Sequence, residues 1–314
     1  MAQWTLASTR EAYGKALLEL GREDPRIVVL GADLNKSTQT VHFAKAFPER
    51  FFDVGIAEAN MMSIAAGLAS AGKIPFCSTF TVFGVCRAYD QLRISIAQPA
   101  LNVKVVCSHA GIITGEDGMS AHGIEDLALV LALPTFTVVA PCDAPETVSA
   151  VRAIARHPGP CYMRVYRPAT PVVHTNGSPF VLGKAEVLRP GTDATIIACG
   201  SMVPWALEAA LLLDGQGISC RVVNVHTLRP LDEDAILRCA RETGAIVTAE
   251  EHLVYGGLGA LVAQTLARTC PVPVEMVGLT RYAESGTPQH LLEKYGLTPR
   301  HIAQAVQRAV ARKG

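Results

Sequence analysis

Residues 51–83 read FFDVGIAEANMMSIAAGLASAGKIPFCSTFTVF. Phe51–Val54 has the short apolar character of a buried strand, Glu58–Ala71 that of a helix, and Ile74–Ser78 that of a second strand. Two strands separated by a helix build a parallel sheet, and a parallel sheet needs cover on both faces.

The same alternation extends outward in both directions. Ser8 and Glu11 form a capping box for a helix that runs to Leu20, with Gly21 as its expected terminator, and a strand follows at Ile27–Leu30. Strands are also expected at Val103–Cys107, Thr137–Ala140 and Tyr162–Tyr166, and helices at Val85–Ala97 and Ala144–Ala155. Between Arg167 and Gly191 the pattern gives way to Pro168, Pro171, Asn176, Gly177 and Pro179, the composition of a linker. A second series then runs from strand Ala194–Cys199 through helix Pro204–Leu213, strand Cys220–Asn224, helix Glu233–Thr243, strand Ala245–Thr248, helix Leu258–Arg268 and strand Val274–Val277 to the closing helix Pro299–Arg312. The expected fold class is α/β: two doubly wound domains, at residues 1–170 and 191–314, joined by a linker at 171–190.

Composition narrows the functional classes. Of 314 residues, 49% are hydrophobic and 18% charged, which suits a surface partly covered by another subunit. Lysine plus arginine balance aspartate plus glutamate at 28 each, without the basic footprint of a nucleic-acid binder. The nine cysteines form no Cys-x-x-Cys pair and read as reduced, mostly packed thiols of a cytoplasmic protein, with no metal expected on this chain. The longest apolar run, Leu127–Leu133, is too short to span a bilayer, so no membrane is expected.

Ligands of doubly wound sheets bind outside the carboxyl ends of the strands, which directs attention to three clusters. In Asp53-Val54-Gly55-Ile56-Ala57-Glu58-Ala59-Asn60 an acid opens a helix; alone, it could simply match the helix dipole. Ser78-Thr79-Phe80-Thr81-Val82-Phe83 offers two rings suited to stacking on a flat group or to filling a core. Ser108-His109-Ala110-Gly111 leads into Gly115-Glu116-Asp117-Gly118-Met119-Ser120-Ala121-His122, a glycine-punctuated loop that could also be an ordinary turn. Gly256-Gly257-Leu258-Gly259 opens a helix without the Gly-x-Gly-x-x-Gly spacing of a nucleotide site, and packing or partner contact explains it better.

In the order and spacing of these segments the chain resembles the transketolase family over nearly its whole length. The matching segments are Gly31-Ala32-Asp33-Leu34, the run ending at Glu58, Thr79-Phe80 with Phe83, His109 and Gly115-Glu116-Asp117-Gly118; Gly183-Lys184-Ala185 and His226-Thr227-Leu228-Arg229-Pro230-Leu231 extend the match into the second domain. The resemblance implies a pyrimidine-binding domain followed by a transketolase C-terminal domain, and thiamine diphosphate as cofactor. Glu58 would then be the catalytic acid that hydrogen-bonds a ring nitrogen of the aminopyrimidine and promotes removal of the thiazolium proton. Phe83, Phe80 and Asp33 would contact the cofactor. Arg10, Ser37, His109 and Arg167 match positions that contact the sugar phosphate, and Asp117 one that contacts a sugar hydroxyl; two arginines with a serine and a histidine make a sensible anion clamp. Read singly, these residues are surface charges, a helix cap and a strand-end histidine.

Two features depart from full-length members. No Gly-Asp-Gly occurs in the chain, so the module that holds the diphosphate and its Mg2+ or Ca2+ is expected on an N-terminal partner subunit, in an α2β2 heterotetramer. Where the family usually reads Gly-Glu-Asp-Gly-x-Thr-His-Gln, this chain places Ala121 at the histidine and His122 at the glutamine. Either the loop bulges so that His122 serves, or the substrate differs from the usual pentose and hexose phosphates; the reading favours an altered substrate. The implied activity is transfer of a two-carbon ketol unit from a ketose to an aldose. Rival readings are the β subunit of a 2-oxoacid dehydrogenase, a 1-deoxyxylulose-5-phosphate-synthase-like enzyme, suggested by Arg87-Ala88-Tyr89-Asp90-Gln91, and a non-catalytic regulatory partner.

Overall fold

The computed structural model describes residues 4–175, 177 and 179–313. Residues 1–3 and Asn176, which entered the reading above, lie outside the described residues. Two sheets organise the chain. The first contains six parallel strands, Ile27–Gly31, Phe51–Asp53, Ile74–Phe80, Lys104–Ser108, Thr137–Val139 and Cys161–Arg164, standing side by side in the order second, first, third, fourth, sixth, fifth. Parallel strands Ala194–Ala198, Cys220–Asn224, Ile246–Leu253 and Val274–Leu279 make the second, with Glu186–Arg189 added antiparallel at one edge. This is the α/β architecture of two wound sheets that the alternation implied.

The sheets are not independent. Thr227–Arg229, from the second half of the chain, pairs antiparallel with Thr137–Val139 and completes the first sheet. One apolar cluster runs through both, joining Leu30, Met61 and Val138 to Ile197, Val223 and Leu258. Glu186–Arg189 falls within the stretch read as linker. No helix of the described residues is long and apolar enough to cross a membrane.

Several local readings change on contact with the structure. Ser8 caps the first helix by accepting the Glu11 N–H, but the helix runs Thr9–Glu23 and passes through Gly21. That glycine sits where a Cβ would collide with the Phe43 ring, so it permits a close helix crossing instead of ending the helix. The helix expected at Val85–Ala97 starts earlier and breaks into Val82–Arg87, Tyr89–Gln91 and Leu92–Ala97, the outer two wound in the wider π form. The strand expected to stop at Thr248 continues to Leu253, carrying buried Glu250, Glu251 and His252. It continues because each polar side chain finds partners: Glu250 accepts the Leu258 and Gly259 N–H groups, and the Gly257 backbone lies against that same carboxylate. The glycine run at 256–259 thus serves packing, as expected.

A buried clasp ties the connecting segment to both sheets. Asp143 caps helix Ala144–Arg156 through one carboxylate oxygen, and the other accepts the Val173 and His174 N–H groups. The His174 ring bridges Asp143 at 3.0 Å and Glu186 at 2.9 Å. Burial pulls the imidazole pKa down, but the bond to Asp143, the charge of Glu146 and the bond to Glu186 outweigh it and raise it to about 9. A histidine raised in the folded state contributes stability that is complete below its unfolded pKa of about 6.5 and lost as pH rises through the folded value. Thermal unfolding should therefore show a midpoint that falls between pH 6.5 and 9. A His174→Gln variant should start lower and lack that fall; an equal fall in both proteins would remove His174 as its source.

Candidate functional site

The carboxyl ends of the first sheet's parallel strands bring the chemistry together. Glu58 is the first residue of helix Glu58–Ser70, whose Met61, Met62 and Ala65 are fully buried. Each methionine contributes about 1.5–3 kcal/mol of burial and fixes the helix in place. Glu58 itself is 1% exposed, a carboxylate that needs a partner. Arg87 supplies it: one Nη atom lies 2.9 and 3.1 Å from the two Glu58 oxygens. The guanidinium also lies 4.4 Å from the centre of the Phe83 ring, in cation–π geometry. Phe83 and Arg87 share a face because both belong to the π-wound segment Val82–Arg87.

From Phe83 a row of rings leads across the strand ends. Phe80 stacks on Phe83 at 5.6 Å between centres and 14° between planes, and His109 stacks on Phe80 at 3.5 Å. His109 holds a left-handed φ of 63°, uncommon for a side chain of its size, at the point where strand Lys104–Ser108 ends. Its Nδ1 meets the Ser108 hydroxyl at 2.9 Å and its Nε2 faces Asp117 at 3.7 Å. Burial first, then the positive charges of Arg10 and Arg167, push its pKa down to about 3, so it is a neutral imidazole at pH 7.

Beyond His109 lies the polar end of the site. Arg10 donates to the Ser37 and Arg167 carbonyls, both at 2.7 Å, and burial with the neighbouring Arg167 lowers its pKa. Arg167 reaches Glu116 at 3.1 Å, Asp117 at 3.5 Å and the Thr114 carbonyl at 3.2 Å. Two guanidiniums, a neutral imidazole and the edge of an acidic loop thus converge on one place, where the guanidiniums are the groups that could donate to an anion.

The structure gathers Arg10, His109, Asp117 and Arg167 as one group, with Ser37 joined through its backbone carbonyl. Phe80 and Phe83 link that group to Glu58. His122 is buried and turned into its own loop, its Nε2 on the Gly115 carbonyl at 3.0 Å; its Nδ1 has no hydrogen-bond partner among the described residues. Asp33 is exposed at a φ of 56°, its N–H donating to Asp53 at 3.0 Å. Asp53 also accepts the Gly55 N–H, so it links the turn after the first strand to the turn that delivers Glu58. Arg87 was not among the expected site residues. Its signal was the four-residue interval from Phe83, hidden because the helix was expected to begin only at Val85.

Comparison with known proteins matches the model of the transketolase pyrimidine-binding domain at residues 6–172 and that of the transketolase C-terminal domain at residues 183–302. A 6-deoxy-6-sulfo-D-fructose transketolase subunit from Clostridium sp. (strain MSTE9) is 44% identical over 305 residues, 97% of this chain and 95% of its own. Transketolase-like protein 2 of Mus musculus is 41% identical over 309 residues, and this chain spans 49% of its length. The solved structure of a split gene transketolase, described as an inactive beta4 tetramer, is 51% identical and superposes with a TM-score of 0.92 over 98% of this chain and 99% of that one. The chain belongs to the transketolase family and is built from that family's pyrimidine-binding and C-terminal domains.

Proposed function

We propose that the chain is the C-terminal subunit of a thiamine-diphosphate-dependent transketolase that moves a two-carbon ketol unit from a phosphorylated ketose to an aldose. The supporting observation is the single row Glu58, Arg87, Phe83, Phe80, His109, which has a buried acid at one end and the Arg10–Arg167 pair at the other. Such a row suits a reaction whose heterocycle sits by the acid while the substrate's anionic tail is held some distance away.

The residues fit the cofactor's aminopyrimidine. The space between Glu58 and the Phe83 ring already accepts a flat, hydrogen-bond-donating cation, the Arg87 guanidinium. An aminopyrimidine that is protonated or shares a proton with Glu58 has the same shape and donor character. When bound, thiamine diphosphate supplies a carbon nucleophile and stabilises the carbanion equivalent that follows. Glu58 would hold the proton shared with the ring nitrogen, and Phe83 would fix the ring plane. Arg10 and Arg167 would hold the anionic tail. His109, neutral, would donate or accept a hydrogen bond from a substrate oxygen, and Asp117 would accept from a hydroxyl. The diphosphate and its Mg2+ or Ca2+ would lie on the N-terminal partner, in an α2β2 complex, since this chain has no Gly-Asp-Gly. The sulfonated sugar in the clostridial relative's name carries its anion at the tail, as a sugar phosphate does, and both suit two arginines.

Purified alone, the chain should bind thiamine diphosphate weakly and turn over nothing, and mixing it with the partner should restore cofactor- and metal-dependent ketol transfer. Donors should be assayed as a panel of phosphorylated, sulfonated and uncharged ketoses, with a 2-oxoacid as control. Brisk turnover by the lone chain would refute the two-subunit reading, and oxidative decarboxylation of the 2-oxoacid would assign the site to a dehydrogenase. Glu58→Ala should leave the complex assembled, by sedimentation, while lowering kcat at least about 10²-fold, the usual scale for losing a proton-transfer group. Turnover near that of the unmodified complex would strip Glu58 of its role.

A further inference from the structure

The loop that carries Glu116 and Asp117 to Arg167 is pinned within itself by the turn bonds Thr114 to Gly111 and Gly118 to Gly115 and by His122 on the Gly115 carbonyl, and it is also held from outside. Gly111, Gly115 and Gly118 all adopt left-handed φ values, 77°, 78° and 77°, and so act as three joints within eight residues. The second sheet reaches across to steady it. Glu251, 3% exposed on strand Ile246–Leu253, accepts the Ile113 N–H at 2.6 Å through one carboxylate oxygen and the Ser201 hydroxyl through the other. Its carboxylate packs so tightly on Gly111 that any Cβ there would collide with it. The Glu251 backbone carbonyl takes one Arg164 Nη at 3.2 Å, and the same nitrogen holds Gly123, beyond the loop's far end, at 3.3 Å. On the outer side the Ser285 hydroxyl donates to the Glu116 carbonyl at 2.6 Å.

We infer that Glu251 is a positioning residue for substrate: from the second domain, its carboxyl fixes the Gly111–Asp117 backbone and thereby the register of Asp117 with His109 and Arg167. This rests on the reading of that cluster as the substrate's anion and hydroxyl site. Glu251 touches no reacting group. It acts on the loop, as Ser285 does from the other side, and it gives the second domain a part in substrate recognition. The tether needs an acceptor for the Ile113 N–H and a second polar atom for Ser201, which a glutamine also provides.

The test compares Glu251→Leu, Glu251→Gln and Ser285→Ala in the reconstituted complex by steady-state kinetics and in the purified chain by hydrogen exchange. Glu251→Leu should raise KM for the phosphorylated ketose about tenfold and leave the half-saturating thiamine diphosphate concentration unchanged, the mark of a misplaced binding group. Exchange at Ile113–Asp117 should accelerate by about the same factor while helix Glu58–Ser70 stays protected. Glu251→Gln should restore both values. Ser285→Ala, at an exposed position outside the apolar clusters, should shift both readouts in the same direction by less. Unchanged loop exchange in a folded Glu251→Leu protein overturns the inference, as does a parallel loss of ketose and cofactor affinity. Should Glu251→Leu fail to fold, a Ser285→Ala protein with unchanged exchange and KM overturns it. A wild-type complex without ketol transfer would count against the proposed function, and the exchange comparison would still decide whether the tether exists.

Discussion

A carboxylate taken out of water must be answered by a donor or a positive charge, and at Glu58 that requirement organises the site. The acid is held inside by helix Glu58–Ser70, whose methionines are fixed in the core, so it cannot swing out to solvent to satisfy itself. Arg87 answers it, lying flat on Phe83 as it does so. Breaking such a pair without a substitute leaves the buried acid without its donor, although the half-exposed Arg87 would itself be rehydrated. Any ligand that displaces Arg87 must therefore bring a planar surface for Phe83 and a donor for Glu58. Few metabolite fragments meet both conditions, and an aminopyrimidine is one of them.

The remaining architecture keeps this requirement at a fixed distance from the Arg10–Arg167 pair. Parallel strands end together, so the residues following Phe51–Asp53, Ile74–Phe80, Lys104–Ser108 and Cys161–Arg164 share one rim. Phe80 and His109 close the space between the two ends by stacking ring on ring. The low pKa of His109 follows from the same crowding: an imidazole walled in beside two guanidiniums stays neutral, leaving Arg10 and Arg167 to supply the charge. The second half of the chain shares the core of the first and lends its sheet the strand Thr227–Arg229.

How much of this could be read from the chain varies with the physics behind each residue. Apolar strands alternating with helices disclosed both sheets, because a doubly covered parallel sheet leaves uninterrupted apolar runs. Arg10, His109, Asp117 and Arg167 are scattered over 158 residues, and only the resemblance to a known family suggested that they meet. Arg87 was noted only within a rival resemblance, and its pairing with Glu58 was not foreseen because hydrophobic periodicity does not announce a π-wound turn. Glu250, Glu251 and His252 escaped because a strand that continues through charged residues breaks the apolar pattern, although burial and matched partners sustain it. His174 sat in a proline- and glycine-rich stretch read as linker, where composition conceals that one side chain is clasped from two directions. Gly21 misled because glycine both ends helices and admits close neighbours, and the sequence does not say which.

If thiamine diphosphate binds as proposed, Arg87 and its aminopyrimidine ring compete for Glu58. The most direct test is the crystal structure of the chain assembled with its partner and thiamine diphosphate. The expected result is a Glu58 oxygen within hydrogen-bonding distance of a pyrimidine nitrogen, with the Arg87 guanidinium lifted from Phe83. A bound cofactor whose ring lies elsewhere, with Arg87 still joined to both Glu58 oxygens, would contradict it.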